Sequence, residues 1–108
     1  MIDRPVPDSL RLELRRGSLV LAVLGALRSE HYGYTLCRHL SDEGLEIEES
    51  TLYPLLRRLE SQGLLTSEWR EENRRRKRFY RISDSGRTAL TALTEEWNTL
   101  NQALKNIL

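Results

Sequence analysis

Residues 49–65, ESTLYPLLRRLESQGLL, read as a helix with a proline in its front end. Leu52, Leu55, Leu56 and Leu59 fall at i, i+3, i+4 and i+7, one apolar stripe at helical spacing. Ser50, Tyr53, Pro54, Arg57 and Ser61 share the opposite face, flanked by Thr51 and Arg58. Gly63 follows where a left-handed residue closes a helix. With Ser50 as N-cap, Pro54 lies at the edge of the first turn, where a missing N–H costs little. The exposed front then offers hydroxyls, unpaired backbone N–H groups and the positive end of the helix dipole, all suited to phosphate. Pro54 adds a donor-free surface able to approach a base edge or a thymine methyl, and Arg57 sits one turn deeper. An ordinary amphipathic helix whose polar face meets water has the same pattern, so the flanking elements must decide.

Downstream, two extended segments, 64–71 and 76–82, are rich in Trp, Phe, Tyr and Ile. ENRR separates them, with Asn73 suited to a left-handed turn, so they read as a hairpin. Its tip carries the unbroken basic run Arg74, Arg75, Arg76, Lys77 and Arg78. Charge runs are usually solvated loops, but part of this one lies in strand register, which favours phosphate contact with affinity and little sequence choice.

Upstream, residues 9–16 begin a short helix with Ser9 as N-cap. Residues 18–29, SLVLAVLGALRS, are apolar nearly all round. Such a helix must be covered on every face, by the domain core on one side and by another element or subunit on the other. Leu19 and Val23 are therefore assigned to a subunit interface. A second helix runs from about 34 to 42 and breaks at Gly44, and the third spans about 50–62. Three helices followed by a basic hairpin is the winged helix-turn-helix order, with the third helix placed to enter the major groove.

The last helix starts at ISDSGR, with Ser83 as N-cap and Asp84 in its first turn. Leu90, Leu93, Trp97, Leu100, Leu104 and Ile107 are spaced 3, 4, 3, 4, 3, an a/d seam of the coiled-coil kind. That seam needs a partner, and a second copy of the helix is the simplest one. The fold class is thus mainly α with a two-stranded β-hairpin: a loose arm at 1–8, a winged domain at 9–82 and a dimerisation helix at 83–108.

Bulk composition narrows the field further. At 108 residues the chain fits one domain. The net charge of +1 does not announce a nucleic-acid binder, but its distribution is uneven: residues 41–50 hold five acids and no base, residues 74–78 only bases. Lys77 and Lys105 are the only lysines among 17 basic residues. Arginine is the better fork for phosphate and guanine edges, although a GC-rich genome gives the same excess. LVLAVLGAL is about half the length of a membrane span, and the N-terminus lacks the order of a secretory signal, so a cytoplasmic protein is expected.

HYGYTL, ESTLYPLLRRLESQGLL, KRFYRIS and SGRTALTALTEEW closely resemble the PadR-like transcriptional regulators, specifically the short subgroup with one C-terminal helix. The likeness runs from about Leu14 to Leu100. It implies a homodimeric winged-helix repressor that binds double-stranded DNA through the third helix and the wing, with the C-terminal helices forming much of the dimer interface. By position, Ser50, Thr51 and Tyr53 become DNA contacts, and Lys77 and Arg78 match the basic pair before the second wing strand. The wing tip departs from the family, which often has glycine and proline there. Some short members bind flat aromatic compounds between subunits against a tryptophan of the last helix. Trp97 matches it, while its seam position suits plain packing equally.

No metal, cofactor or enzyme chemistry is expected. His31, His39 and Cys37 are too few for a metal site, and no catalytic motif or phosphate loop is present. Cys37 reads as a small buried hydrophobe, with a redox-sensing thiol as the alternative. A protein-interaction module built on the winged-helix surface or the long last helix is the competing function.

Overall fold

The apolar run at 18–29 does not begin a helix of its own. In the computed structural model, which describes residues 5–108, a single helix α1 (Asp8–Ala26) takes in both upstream segments. Ser9 is therefore inside the helix and not its cap; Pro7 occupies the cap position and Asp8 meets the positive helix end. Gly17 lies in open space and is carried along in mid-helix. Of the loose arm expected at 1–8, residues 1–4 lie outside the described part, and Asp8 already belongs to α1.

Helix α2 (Gly33–Asp42) and helix α3 (Glu49–Ser61) follow, then strands β1 (Leu65–Glu72) and β2 (Arg75–Ile82), and finally helix α4 (Asp84–Ile107). Both short helices end the same way. Gly44 (φ 92°) and Gly63 (φ 79°) turn left-handed, as the sequence required of Gly63. Gly63 N–H then bonds Glu60 O at 2.9 Å, and Leu64 N–H reaches back to Leu59 O at 2.9 Å. Gly44 and Leu45 repeat this on Ser41 O and Leu40 O, so each helix is stopped by a paired reverse hydrogen bond.

The core is a leucine layer. Val23, Leu24 and Leu27 of α1 and its end meet Leu36 and Leu40 of α2 and Leu52, Leu56 and Leu59 of α3. Leu65, Tyr80 and Ile82 close it from the hairpin root. Backbone bonds stitch that root in place: Ile82 N–H to Leu27 O (2.8 Å), Ser83 N–H to Leu64 O (3.0 Å), and a two-way bridge between His31 and Tyr80. The antiparallel hairpin thus grows from the core, and its far half projects as a wing.

Leu19 and Val23, which the sequence assigns to a subunit interface, are both buried within the single chain. Val23 has no exposed surface, and Leu19 retains 5%. Both are covered within the chain, α1 turning that face toward α2 and the leucine layer. The apolar side chains of the run left half-covered are Val20, Leu21, Ala22 and Ala26.

Ser83 caps α4 as expected, its Oγ accepting from Gly86 N–H at 3.0 Å. Gly86 is pressed against the chain: a Cβ there would stand 2.1 Å from the Leu64 carbonyl oxygen. This close approach docks the first turn of α4, so Leu90 and Leu93 pack against the core. Beyond them the helix runs free, leaving Trp97 41%, Leu100 55%, Leu104 50% and Ile107 76% exposed in the single subunit. The architecture is the expected mainly α fold with a two-stranded hairpin, a winged helix-turn-helix ending in one long helix.

Candidate nucleic-acid interface

Leu52, Leu56 and Leu59 anchor α3 to the core, and Leu55 is half-buried beside them. The opposite face is open: Ser50, Thr51, Tyr53, Pro54, Arg57, Arg58 and Ser61 are all exposed. The helix starts one residue earlier than expected, with Glu48 and not Ser50 as its N-cap. Pro54 is consequently the sixth helical residue, in the second turn, and its missing N–H leaves the Ser50 carbonyl without its α-helical bond. Thr51 N–H already bonds Glu48 O at 3.0 Å, so only the amides ahead of it lack an intrahelical partner, as at any helix start. They are flanked, however, by the carboxylates of Glu48 and Glu49, which oppose an anion there. The open face of α3 therefore presents its side-chain donors at Tyr53, Arg57 and Arg58, away from these carboxylates at the helix start.

Tyr53 is placed by α2. Its ring lies over Gly33, where a Cβ would sit 2.4 Å from the phenol oxygen. Partial burial, and then the charge of Glu49, push its ionisation upward, so the phenol keeps its proton and remains a donor.

Asn73 (φ 52°) and Arg74 (φ 65°) make a two-residue turn with both residues left-handed, the geometry that matches strand twist. Asn73 was expected in that conformation; Arg74 was not, and each strand gains a residue at the tip. The alternation of β2 then divides the basic run that the sequence presented as one. Among the described residues, Arg74, Arg75 and Arg76 are exposed with no carboxylate in ion-pair range. Lys77 is held inward on one face. Its Nζ donates to Tyr32 Oη (3.3 Å) and Glu72 Oε1 (3.3 Å) and lies 4.4 Å from the Tyr32 ring centre. The Tyr32 bond, with Glu72 behind it, raises the affinity of Lys77 for its proton. Arg78 turns to the other face, donating to Glu60 Oε1 (2.8 Å) and Ser67 Oγ (2.8 Å).

The partners Tyr32, Glu60 and Ser67 carried no signal in the sequence, since they lie 7 to 45 residues from the groups they bind. The same holds for Glu30, which pairs with Arg70 and, at 3.6 Å, with Arg81 on the outer wing face. Its bond from Arg70 keeps its carboxyl below the usual carboxylate range. Between α3 and the wing, Tyr32, Tyr53, Arg57, Trp69, Arg76 and Lys77 line an open aromatic and cationic cleft of about 430 Å³.

The model of the transcriptional regulator PadR-like family matches residues 20–92, most of the chain and all of the site just described. The chain belongs to the PadR-like family. It is 38% identical over 97 residues to Transcriptional regulator Rv3488 of Mycobacterium tuberculosis, spanning 89% of this chain and 88% of that protein. A PadR family transcriptional regulator from Eggerthella lenta superposes with a TM-score of 0.86 at 46% identity, covering 93% of this chain and 89% of that one. Bacillus subtilis PadR, solved in complex with operator DNA, matches 69% of this chain and 45% of its own, at 28% identity and a TM-score of 0.63. This protein is thus a transcriptional regulator of the PadR-like family, and its homologues are regulators rather than enzymes.

Within this PadR-like chain, Trp97, Cys37, His31 and His39 do not line the cleft. Trp97 is exposed on α4. Cys37 is half-buried in α2, and burial, with Glu49 second, raises its thiol ionisation, so the reactive thiolate is disfavoured. His31 and His39 stack with ring centres 5.4 Å apart. Among the described residues no three His, Cys, Asp or Glu gather as a metal site, and no helix is long and apolar enough to cross a membrane.

Proposed function

We propose that this PadR-like regulator acts in the cytoplasm as a homodimeric repressor, reading a two-fold symmetric operator in double-stranded DNA. The observation that carries the reading is the placement of one open face of α3, with Tyr53, Arg57 and Arg58, beside three exposed wing arginines, Arg74 to Arg76, that have no ion-pair partner among the described residues. In this assignment Tyr53, Pro54 and Arg57 meet base edges in the major groove. Ser50, Thr51, Arg58 and the wing meet phosphates. Lys77 and Arg78 serve mainly to hold the wing, and reach DNA only by loosening their present partners. The operator complex of Bacillus subtilis PadR supports the direction of the reading.

The homodimer is supported by the uncovered α4 seam of Trp97, Leu100, Leu104 and Ile107, joined at its base by Leu90 and Leu93. Two α3 helices set about 34 Å apart then match successive major grooves. A small aromatic effector stacked on Trp97 between subunits would shift that spacing and release DNA. Two experiments test this function. Selection of duplexes from a random pool should yield a pseudo-palindrome, and its affinity should fall steeply with salt. Replacing Arg74, Arg75 and Arg76 by glutamine should lower the salt slope by up to about three on any DNA. Recovery of no preferred duplex would favour the competing role of a protein-interaction module. For the effector, quenching of Trp97 emission in a Trp69→Phe background by planar phenolic compounds is expected; no response across such a panel leaves Trp97 as packing.

A further inference from the structure

Glu60 is an acid on the side of α3 that turns toward the wing, a charge that DNA should repel. It is nonetheless fully engaged. Ser67 Oγ of β1 donates to Glu60 Oε2, Arg78 NH2 of β2 donates to Glu60 Oε1 at 2.8 Å, and Arg78 Nε donates to Ser67 Oγ at 2.8 Å. The three bonds close a ring across one residue from each of three elements. All three side chains are partly buried, and the Arg78 guanidinium lies 5.6 Å from the centre of each of the Trp69 and Tyr80 rings. Among the described residues, every side-chain hydrogen bond between α3 and the hairpin passes through Glu60. The other wing face is tied to different elements, through Lys77 to Tyr32 and through Arg70 and Arg81 to Glu30.

We propose that Glu60 is a specificity-determining positioning residue, fixing through Arg78 and Ser67 the angle between the base-reading helix and the phosphate-binding wing. The inference rests on the DNA-binding reading above. Its physical basis is that α3 and the wing must engage a groove and its flanking phosphates at once. Each element alone gives only weak or unspecific binding; specific affinity needs their relative placement held in advance. Arg78 is accordingly withdrawn from the phosphate pool, and the acid on the DNA side is what withdraws it.

The sign of one substitution separates positioning from plain electrostatics. Removing a negative charge near DNA should tighten binding to every duplex. Loss of a positioning residue should weaken binding to the selected operator while binding to unrelated duplex holds or tightens. Glu60→Ala is therefore expected to reduce the ratio of operator to unrelated-duplex affinity by roughly tenfold, the scale of a charged hydrogen bond. Glu60→Gln, which keeps one acceptor, should lie between wild type and alanine. Ser67→Ala opens the same ring without touching charge and should lower the ratio in the same direction, which keeps the test decisive if Glu60→Ala folds poorly. An unchanged ratio in folded Glu60→Ala, or in Ser67→Ala where Glu60→Ala does not fold, overturns the proposal, as does tighter operator binding in Glu60→Ala. A wild-type chain that prefers no duplex overturns the DNA reading instead, and this inference with it.

Discussion

Single residues in this protein are decided by what lies within a few ångströms of them. In an exposed helix, glycine to alanine usually adds about 1 kcal/mol of stability. At Gly86 the sign reverses, because a Cβ would meet the Leu64 carbonyl at 2.1 Å, and backbone cannot swing aside as a side-chain tip can. Gly86→Ala is expected to cost about 1–3 kcal/mol and lower the melting temperature by at least about 5 °C. His31 is a second case. Burial first, and the nearby His39 second, hold its pKa below the ordinary 6.5. The unfolded chain therefore takes up a proton near that value which the folded chain still refuses, so stability present above it is lost as pH falls. Melting followed between pH 7.5 and 5.5 should show a drop that shrinks in His31→Gln. The depressed carboxyl of Glu30 acts in the same direction but only below its ordinary 4.5, outside that window.

Elements reveal conflicts that single residues hide. The wing turn places Arg74 at φ 65°, a conformation that costs an L-residue roughly 1 kcal/mol or more and glycine nothing. Retaining arginine there makes sense if its charge is used. Arg74→Gly should raise the melting temperature slightly, the relieved strain being partly offset by the entropy glycine adds to the unfolded chain. The same variant should weaken unspecific DNA binding and reduce the salt slope by about one. A variant that is stabilised with an unchanged slope would remove Arg74 from the interface. Helix α3 carries a similar tension: Pro54 in its second turn denies the Ser50 carbonyl its α-helical bond, yet the leucine stripe holds the helix through it.

At the scale of the whole molecule, α4 carries an apolar seam that its own subunit does not cover. Leu100 and Leu104 are half exposed at a spacing that suits a second helix. Sedimentation should find a dimer, and Leu104→Glu should shift it toward monomer while leaving the winged domain folded, since Leu104 takes no part in the leucine layer. A wild-type monomer at micromolar concentration would remove the dimer, and with it the symmetric operator.

Much of this molecule was determined by the chain read alone. The leucines of α3, the left-handed Gly63, the Ser83 cap and the hairpin turn at Asn73 all follow from local rules that act within a turn or two. What tertiary structure decided is of another kind. It buried Leu19 and Val23 within their own subunit, because the face α1 turns to the core depends on where α2 and α3 sit. It moved the α3 start to Glu49, bringing Glu48 and Glu49 beside the amides expected to hold phosphate. Above all it split the run 74–78, because strand alternation sends successive side chains to opposite faces and the partners on those faces come from distant segments. Local spacing announces an element and its apolar side; which charges stay free to bind depends on neighbours that only folding brings together.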